Sequence, residues 1–332
     1  MERKNVGAAD GGVSPESRSE LGTTGIQVSP IGFGASTLGN EFGLVSEESG
    51  IHAVHEALRR GINFFDVSPY YGRTRAETVL GKALRGIPRD SYVLGTKVGR
   101  YDTDKFDFSA ERVTQSVQES MERLGVEHLD IIHCHDIEFA KDIDQIATET
   151  IPALNKLKAE GKVKAIGITG YPLEVFPYVL SCAEPGSIDV VLSYCNYCLQ
   201  NDRLSLMLDG LKRHGVGVVN ASALSMGMLT PKGPPEWHPA DKDTKEAAKK
   251  ASAYCNSRGS DLATVALQYA MRSRSGRIAS TLVGIDSVGT LKKNLALLSS
   301  EPDWDLIHDV QDIFKDVHNR RWDSGHYLGY QG

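Results

Sequence analysis

The sequence repeats one pattern eight times: a short apolar run is followed by a longer stretch in which apolar residues recur with helical periodicity. Short runs that are apolar throughout are typical of parallel strands buried on both faces of a sheet. Eight such strands, each followed by a helix, predict an α/β fold of the (β/α)8 TIM-barrel class in a single domain. The predicted strands cover residues 31–34, 62–66, 92–97, 129–135, 164–169, 189–194, 216–221 and 279–283.

The stretches between the apolar runs predict helices, and Gly61, Gly125, Gly161 and Gly215 stand where left-handed C-cap residues would end four of them. A doubly wound sheet is the competing fold. The glycines of residues 32–39 lack the Gly-x-Gly-x-x-Gly spacing that such a sheet usually carries after its first strand. The predicted helices cover residues 46–60, 76–85, 109–124, 143–160, 173–182, 202–214, 244–258, 262–272, 288–298 and 305–317.

The two ends of the chain are predicted to lie outside the barrel. Residues 1–20 are polar and rich in Gly, Ser and charge, so we expect a disordered tail. Residues 21–318 form the predicted barrel domain, with an N-terminal hairpin over residues 21–29 and an extra C-terminal helix. Residues 319–332 form a second predicted tail, which is a candidate cover for the active site.

Charge, apolar run lengths and cysteine usage narrow the classes of function. The net charge is −6 and both signs are interspersed, so nucleic acid is not an expected partner. No apolar run approaches the roughly 20 residues that span a bilayer, and residues 1–20 lack the apolar centre of a secretory signal. Five scattered cysteines favour a reducing compartment over a secreted disulfide framework, so we expect a cytoplasmic protein without a membrane partner.

Polar side chains end three successive predicted strands. Asp66 ends the second strand, Lys97 the third and His135 the fourth, and Tyr71 follows Asp66 across a proline turn. A buried carboxylate costs free energy unless it is paired, and active sites of (β/α)8 barrels gather at the carboxyl ends of the strands. We therefore expect these four residues to share one pocket.

Acid–base chemistry is the natural use of such a pocket. A nearby ammonium group lowers the pKa of a phenol, so Lys97 would tune Tyr71 as a proton donor or acceptor. Asp66 would hold Lys97, and His135 would orient a carbonyl or hydroxyl. These stretches place no serine or cysteine beside a base and no metal-ligand cluster, so no metal is expected. Proton transfer coupled to hydride transfer with a bound cofactor is the leading hypothesis.

Aromatic side chains near the predicted mouth are candidate walls of a substrate pocket, because flat aromatic faces suit the C–H surfaces of sugars. The longest stretch without a predicted strand, residues 224–243, carries Trp237 and His238 and is typical of a functional loop. Tyr70, Tyr101 and Trp322 complete the set of candidates. Packing within loops is the alternative role for each of them.

Several of these segments together resemble the aldo-keto reductase superfamily. The matching segments are residues 66–72, 96–97, 129–136, 167–170 and 284–294, and the resemblance covers nearly all of residues 21–296. In that family an aspartate, a tyrosine, a lysine and a histidine form a catalytic tetrad. The resemblance implies these roles for Asp66, Tyr71, Lys97 and His135.

The choice of His135 over His133 rests on spacing within the family. The family's histidine falls five residues after the aspartate of its strand, which is Asp130 in this sequence. One of the two histidines is then expected to be a structural residue inside the barrel.

The resemblance also implies a nicotinamide cofactor, with NAD expected and NADP as the alternative. Asp286 would repel a 2′-phosphate and so favours NAD, whereas Lys292 and Lys293 would attract one. The residues implied to bind the cofactor are Gly34, Thr169, Ser193, Ser222, Leu224, Gly284, Asp286, Ser287, Lys293 and Asn294.

Longer strings at residues 106–112, 133–139 and 233–239 resemble a plant branch of the family. They imply oxidation of L-galactose at C1 to the galactonolactone with NAD, on the route to ascorbate, with Tyr71 as the base. Two alternatives stay open: a divergent relative that reduces another aldehyde or ketone with NADPH, and a non-enzymatic regulatory barrel. The resemblance implies a monomer or weak dimer.

Overall fold

The computed structural model describes residues 11–272 and 276–326, and within them eight parallel strands close into a barrel. Strands that are consecutive in the chain pair in parallel, and the last pairs with the first through Val283 and Phe33. The predicted (β/α)8 barrel is thereby confirmed. The strands are β1 (Ile31–Gly34), β2 (Phe64–Asp66), β3 (Val93–Val98), β4 (Leu129–Cys134), β5 (Val163–Gly170), β6 (Val190–Tyr194), β7 (Gly217–Ala221) and β8 (Ser280–Gly284).

The predicted helices all have counterparts, with ends shifted by a few residues. Ser46 and Ser109 cap two of them, each accepting a hydrogen bond from the backbone N–H three residues on. The helices are α1 (Glu47–Arg59), α2 (Arg75–Leu84), α3 (Ala110–Leu124), α4 (Ile151–Ala159), α5 (Val175–Cys182), α6 (Leu208–Arg213), α7 (Lys242–Ser257), α8 (Leu262–Met271), α9 (Val288–Ser299) and α10 (Trp304–Phe314).

Two stretches predicted as single helices are divided. The stretch over residues 143–160 begins with a π-helical turn, Ile146–Thr150, before α4. There the Thr150 hydroxyl donates to the carbonyl of Phe108 at 2.6 Å, which ties the turn to another segment. The stretch over residues 202–214 begins with a 3₁₀ turn, Arg203–Leu206, before α6. Apolar periodicity predicts that a segment is helical but does not resolve such changes of pitch.

Alternate residues of the strands point into the barrel and fill it. An inner apolar cluster includes Phe64, Ile131, Ala165 and Leu192, while the flanking positions pack outward against the helices. Side chains along a strand alternate with a period of two, so the next inward position after Phe64 is Asp66. The polar groups at the carboxyl ends of the strands therefore lie on an apolar floor.

Part of the segment expected to be a disordered tail packs against the barrel. Val13 is 4% exposed, and its backbone N–H donates to the carbonyl of Arg60 at 2.7 Å. Strands Ser19–Glu20 and Gln27–Val28 form the hairpin, and buried Leu21 and Val28 join the inner cluster. The expectation of disorder is therefore wrong for residues 11–20, because apolar contacts outweigh their polar composition; residues 1–10 lie outside the described residues.

In residues 11–272 and 276–326, no helix combines the length and the apolar character needed to cross a bilayer.

The tight packing of the barrel interior generates a prediction at Gly167. A Cβ atom added there would collide with Nδ1 of His133, which is fully buried. Gly167→Ala should therefore lower the free energy of unfolding by about 1–3 kcal/mol, as overpacking does, measured by urea denaturation. Gly210→Ala in α6 is the matched control, since a Cβ there meets only the tip of Arg213 at 4.0 Å. Equal stability of the two variants would contradict the predicted collision.

Candidate active site

A buried ion pair joins the ends of β2 and β3. Lys97 Nζ donates to Asp66 Oδ1 at 2.5 Å and to the carbonyl of Val67 at 2.8 Å. Asp66 is 2% exposed and Lys97 1% exposed. Burial alone would lower the pKa of Lys97, but the neighbouring Asp66 and Tyr71 outweigh it and raise that pKa above its usual value. Lys97 therefore stays a cation inside the barrel.

Tyr71 lies beside this pair, in the turn that follows β2. The Lys97 ammonium nitrogen is 4.9 Å from the centroid of the Tyr71 ring. The turn is tightly packed: at Gly72 (φ +60°) an added Cβ would collide with the carbonyl oxygen of Gly39. Burial raises the pKa of Tyr71 to about 12, and the Lys97 cation opposes this rise. We expected the cation to dominate, but burial has the larger effect on the pKa of this partly buried ring.

His135 completes the group of four residues predicted to meet. Its ring lies 5.9 Å from that of Tyr71, nearly perpendicular at 85°, and its Nδ1 is 3.1 Å from the hydroxyl of Ser68. Burial lowers the pKa of His135 to about 3, so the imidazole is neutral at physiological pH. Its catalytic role, like those of Asp66, Tyr71 and Lys97, remains a proposal.

His133 lies deeper in the barrel than His135. It is two residues earlier on β4, fully buried, and faces Gly167 of β5 closely enough that only glycine fits there. Burial lowers the pKa of His133 well below the usual histidine value. The structure thus places His135, and not His133, beside Tyr71.

A second ion pair at the mouth was not predicted. Arg100 Nη1 donates to Asp136 Oδ2 at 2.5 Å, and Asp136 also accepts from the hydroxyl of Thr169 at 3.1 Å. Arg100 belongs to a small hairpin, Arg100–Asp102 with Lys105–Phe106, which was also not predicted. The available signal was Asp136 itself, a carboxylate that directly follows the predicted strand over residues 129–135.

The proposed aromatic walls are only partly brought together. The Tyr70 ring lies 5.9 Å from His135 and 4.0 Å from the guanidinium carbon of Arg100, so it lines the site. Tyr101 instead lies under Arg112 of α3, and its hydroxyl accepts from the backbone N–H of Gly99 at 3.1 Å. This placement corrects the expectation that Tyr101 is a substrate wall.

The loop over residues 224–243 also differs from expectation. His238 is 2% exposed, its Nε2 contacts the carbonyl of Ser225 at 2.9 Å, and its Nδ1 accepts from the Ala240 N–H at 3.1 Å. Both nitrogens are thus used within the loop, so His238 is a structural residue and not a substrate ligand. Trp237 is 60% exposed, and its role as a wall of the pocket stays a prediction.

The second tail folds back over loops that follow the strands. Trp322 stacks on Tyr171, with ring centroids 4.3 Å apart, and the Ser324 hydroxyl donates to Glu138 Oε1 at 3.1 Å. The backbone N–H of His326 donates to the carbonyl of Glu138 at 2.7 Å. Burial raises the pKa of Glu138 to about 8. The role of this tail as a cover stays a prediction, and residues 327–332 lie outside the described residues.

The residues predicted to bind the cofactor fall into four places. Gly34 and Gly284 are paired ends of adjacent strands β1 and β8. Thr169 and Ser193 are buried, and they bond to Asp136 and to the Asn196 amide respectively. The others lie in the loop after β7 or at α9, and they are Ser222, Leu224, Asp286, Ser287, Lys293 and Asn294.

Four of these residues belong to α9 or directly precede it. Ser287 caps the helix and Asp286 Oδ1 accepts from the Ser287 hydroxyl at 2.9 Å. Lys293 Nζ donates to Asp261 Oδ2 at 3.1 Å. The amide nitrogen of Asn294 is buried and lacks a hydrogen-bond partner among the described residues.

Across residues 11–272 and 276–326, no cluster of three or more His, Cys, Asp or Glu side chains could hold a metal ion.

Comparisons with known proteins relate the whole barrel to characterised enzymes. Residues 30–313 match the model of the Aldo/keto reductase family. The chain is 51% identical over 311 residues to L-galactose dehydrogenase from Arabidopsis thaliana, covering 92% of this chain and 96% of that protein. It is 35% identical over 320 residues to D-arabinose 1-dehydrogenase from Saccharomyces cerevisiae, covering 90% of this chain and 94% of that protein.

A solved structure supports the same relationship. The holo form of an aldo-keto reductase from Bacillus halodurans is 25% identical and superposes with a TM-score of 0.74, covering 93% of this chain and 99% of that chain.

The buried ion pair generates a stability prediction. Lys97→Met leaves the Asp66 carboxylate buried without its cation, so the free energy of unfolding should fall by about 3–5 kcal/mol, measured by urea denaturation. Lys164→Met is the matched control, because it also breaks a lysine–aspartate pair, with Asp130, but at a side chain that is 50% exposed. Its expected loss is below about 1 kcal/mol. Adding Asp66→Asn to Lys97→Met should recover part of the stability, and no recovery would contradict the unpaired-charge explanation.

Proposed function

The chain belongs to the aldo/keto reductase family, and we propose that it oxidises L-galactose at C1 to L-galactono-1,4-lactone with a nicotinamide cofactor. The observation that carries this proposal is the enclosed cluster in which the Asp66–Lys97 pair supports Tyr71 beside neutral His135. The 51% identity to the Arabidopsis L-galactose dehydrogenase supports the choice of sugar. We place the reaction on the route to ascorbate and in the cytoplasm.

Each of the four clustered side chains has its own role in the proposed acid–base reaction. Oxidation removes a proton from the C1 hydroxyl and a hydride from C1, and Tyr71 takes the proton as its phenolate. Lys97 lowers the cost of that phenolate through its charge, and Asp66 keeps Lys97 charged and in place. His135 donates a hydrogen bond to the C1 oxygen and orients it. A bound nicotinamide cofactor would supply the hydride acceptor.

Residues of α9 and its N-cap fit a dinucleotide. The buried Asn294 amide nitrogen is a donor without a partner among the described residues, and such a group calls for a ligand or water. The first-turn N–H groups of the 12-residue helix α9, with the helix dipole, favour an anionic group nearby. Ser287 and Asn294 would hold this part of the cofactor.

The charges at this helix favour NAD over NADP. Asp286 is exposed, so its carboxylate would repel a 2′-phosphate. The charge of Lys293 is partly compensated because Asp261 accepts its hydrogen bond at 3.1 Å. Lys292 is the remaining cation on this turn of α9. We therefore propose NAD as the preferred cofactor.

A second candidate function is the reduction of another aldehyde or ketone with NADPH. The raised pKa of Tyr71, about 12, favours it, because a protonated phenol is ready to donate to a carbonyl oxygen. Initial rates with L-galactose and with a panel of aldehydes, each with both cofactors, separate the two functions. Turnover of aldehydes with NADPH and none of L-galactose with NAD would replace the first proposal by the second.

Tyr71→Phe tests the proton carrier. The variant should lose about 10²- to 10⁴-fold in kcat for L-galactose oxidation, measured by NADH formation. The wild-type rate should rise with pH across pH 6–9, because the phenolate fraction grows as pH approaches the Tyr71 pKa of about 12. Tyr101→Phe, which removes a phenol outside the site, should keep wild-type activity. A pH-independent wild-type rate, or an active Tyr71→Phe variant, would refute the assignment.

Asp286→Asn tests the cofactor assignment. Removing the carboxylate should raise kcat/KM for NADP relative to NAD by about ten-fold, the factor expected for roughly 1.4 kcal/mol of relieved repulsion. The measurement compares initial rates at limiting concentrations of each cofactor. Asp305→Asn is the control, because it removes an exposed carboxylate from the first turn of α10 instead of from the start of α9. An unchanged cofactor ratio in Asp286→Asn would contradict the role of Asp286.

A further inference from the structure

Ser68 is a buried residue that contacts the candidate site through His135. It lies in the turn between Asp66 and Tyr71, is 0% exposed, and places its hydroxyl 3.1 Å from Nδ1 of His135. Since it has no exposed surface, it does not face a substrate. Its effect on a reaction must act through His135.

Because His135 is buried and neutral, its ring has two possible tautomers, and its neighbours determine which one forms. The pKa of His135 is lowered to about 3, so the ring carries one proton at neutral pH, on either Nδ1 or Nε2. Only a ring protonated at Nε2 can donate from that nitrogen to a substrate oxygen. The hydrogen bond made by one nitrogen normally determines which nitrogen is protonated.

The neighbours of Ser68 favour one direction for its hydrogen bond with His135. The backbone N–H of Tyr70 donates to the Ser68 hydroxyl oxygen at 3.1 Å, so this oxygen already accepts one hydrogen bond. The hydroxyl proton is then available for the Nδ1 lone pair of His135. The oxygen could still accept a second hydrogen bond, but Nδ1 of His135 is the acceptor that the described residues offer to the hydroxyl hydrogen. This arrangement favours an unprotonated Nδ1.

Asp136 favours the same tautomer from the other side of the ring. Its Oδ2 lies 3.6 Å from Nε2 of His135, beyond hydrogen-bond distance but close enough for electrostatic attraction to an N–H group. An unprotonated Nε2 would present its lone pair to that carboxylate and be repelled. Because Arg100 already holds Oδ2 at 2.5 Å, the Nε2 proton stays available to another acceptor.

We propose that Ser68 is a positioning residue that donates its hydroxyl hydrogen to Nδ1 of His135 and thereby fixes the Nε2–H tautomer. This inference deepens the proposed function and rests on it, since the Nε2–H group is the donor to the substrate's C1 oxygen. Ser68 would thus keep His135 ready as a neutral hydrogen-bond donor before substrate binds.

The tautomer can be measured on the full chain without turnover. Long-range ¹H–¹⁵N correlation spectra of protein labelled with ¹⁵N-histidine at pH 7 distinguish protonated from unprotonated ring nitrogens. The signals of His135 among the ten histidines are assigned by their loss in His135→Gln. We expect an unprotonated Nδ1 and a protonated Nε2 in the wild type. A protonated Nδ1 would overturn the proposal.

Ser68→Ala and Ser68→Thr test whether the Ser68 hydroxyl determines the tautomer of His135. Ser68→Ala should move the two His135 nitrogen shifts toward each other and lower kcat/KM by about ten-fold, the effect of losing one orienting hydrogen bond. Ser68→Thr retains the hydroxyl and should restore the wild-type shifts. Ser280→Ala is the matched control, because it removes a buried serine hydroxyl that has no hydrogen-bond partner among the described residues.

The proposed role of Ser68 and the proposed oxidation of L-galactose can be refuted independently. Unchanged His135 shifts in Ser68→Ala would overturn the role of Ser68, whatever the activity. A wild type with the expected Nε2–H signals that does not oxidise L-galactose would overturn the proposed function and still support the tautomer assignment.

Discussion

The buried hydrogen bond between Lys97 and Asp66 is the interaction on which the site depends. Two opposite charges lie at the end of a packed barrel, and neither is solvated. Each group makes the burial of the other tolerable, and a second hydrogen bond, to the carbonyl of Val67, uses another ammonium hydrogen. The pair adds little net stability compared with apolar packing, so its value lies in placing a fixed cation beside Tyr71.

Burial also sets the protonation states of the other two side chains. The same low-polarity surroundings that keep His135 neutral raise the pKa of Tyr71. The site therefore holds a neutral imidazole and a protonated phenol next to a fixed ion pair. Hydride transfer leaves a proton to be placed, and Tyr71 can donate it as the phenol in a reduction or accept it as the phenolate in an oxidation.

Much of this arrangement could be predicted from the sequence because strand ends are local features. Asp66, Lys97 and His135 follow apolar runs, and parallel strands bring their carboxyl ends to one face. The Arg100–Asp136 pair could not be predicted, because it joins a hairpin to a different strand end. The contacts of Tyr101 and His238 were not anticipated, because the direction in which a loop side chain points depends on contacts with other segments.

The sequence by itself determined the barrel, the order of its strands, and that Asp66, Lys97 and a histidine of the fourth strand lie near Tyr71. Periodicity and the alternation of apolar runs encode these features, since they arise from burial along each segment. Only the tertiary structure decided which of His133 and His135 faces Tyr71, which aromatic rings reach the mouth, and that Ser68 contacts His135. These depend on distances between residues far apart in the chain, which no single segment specifies.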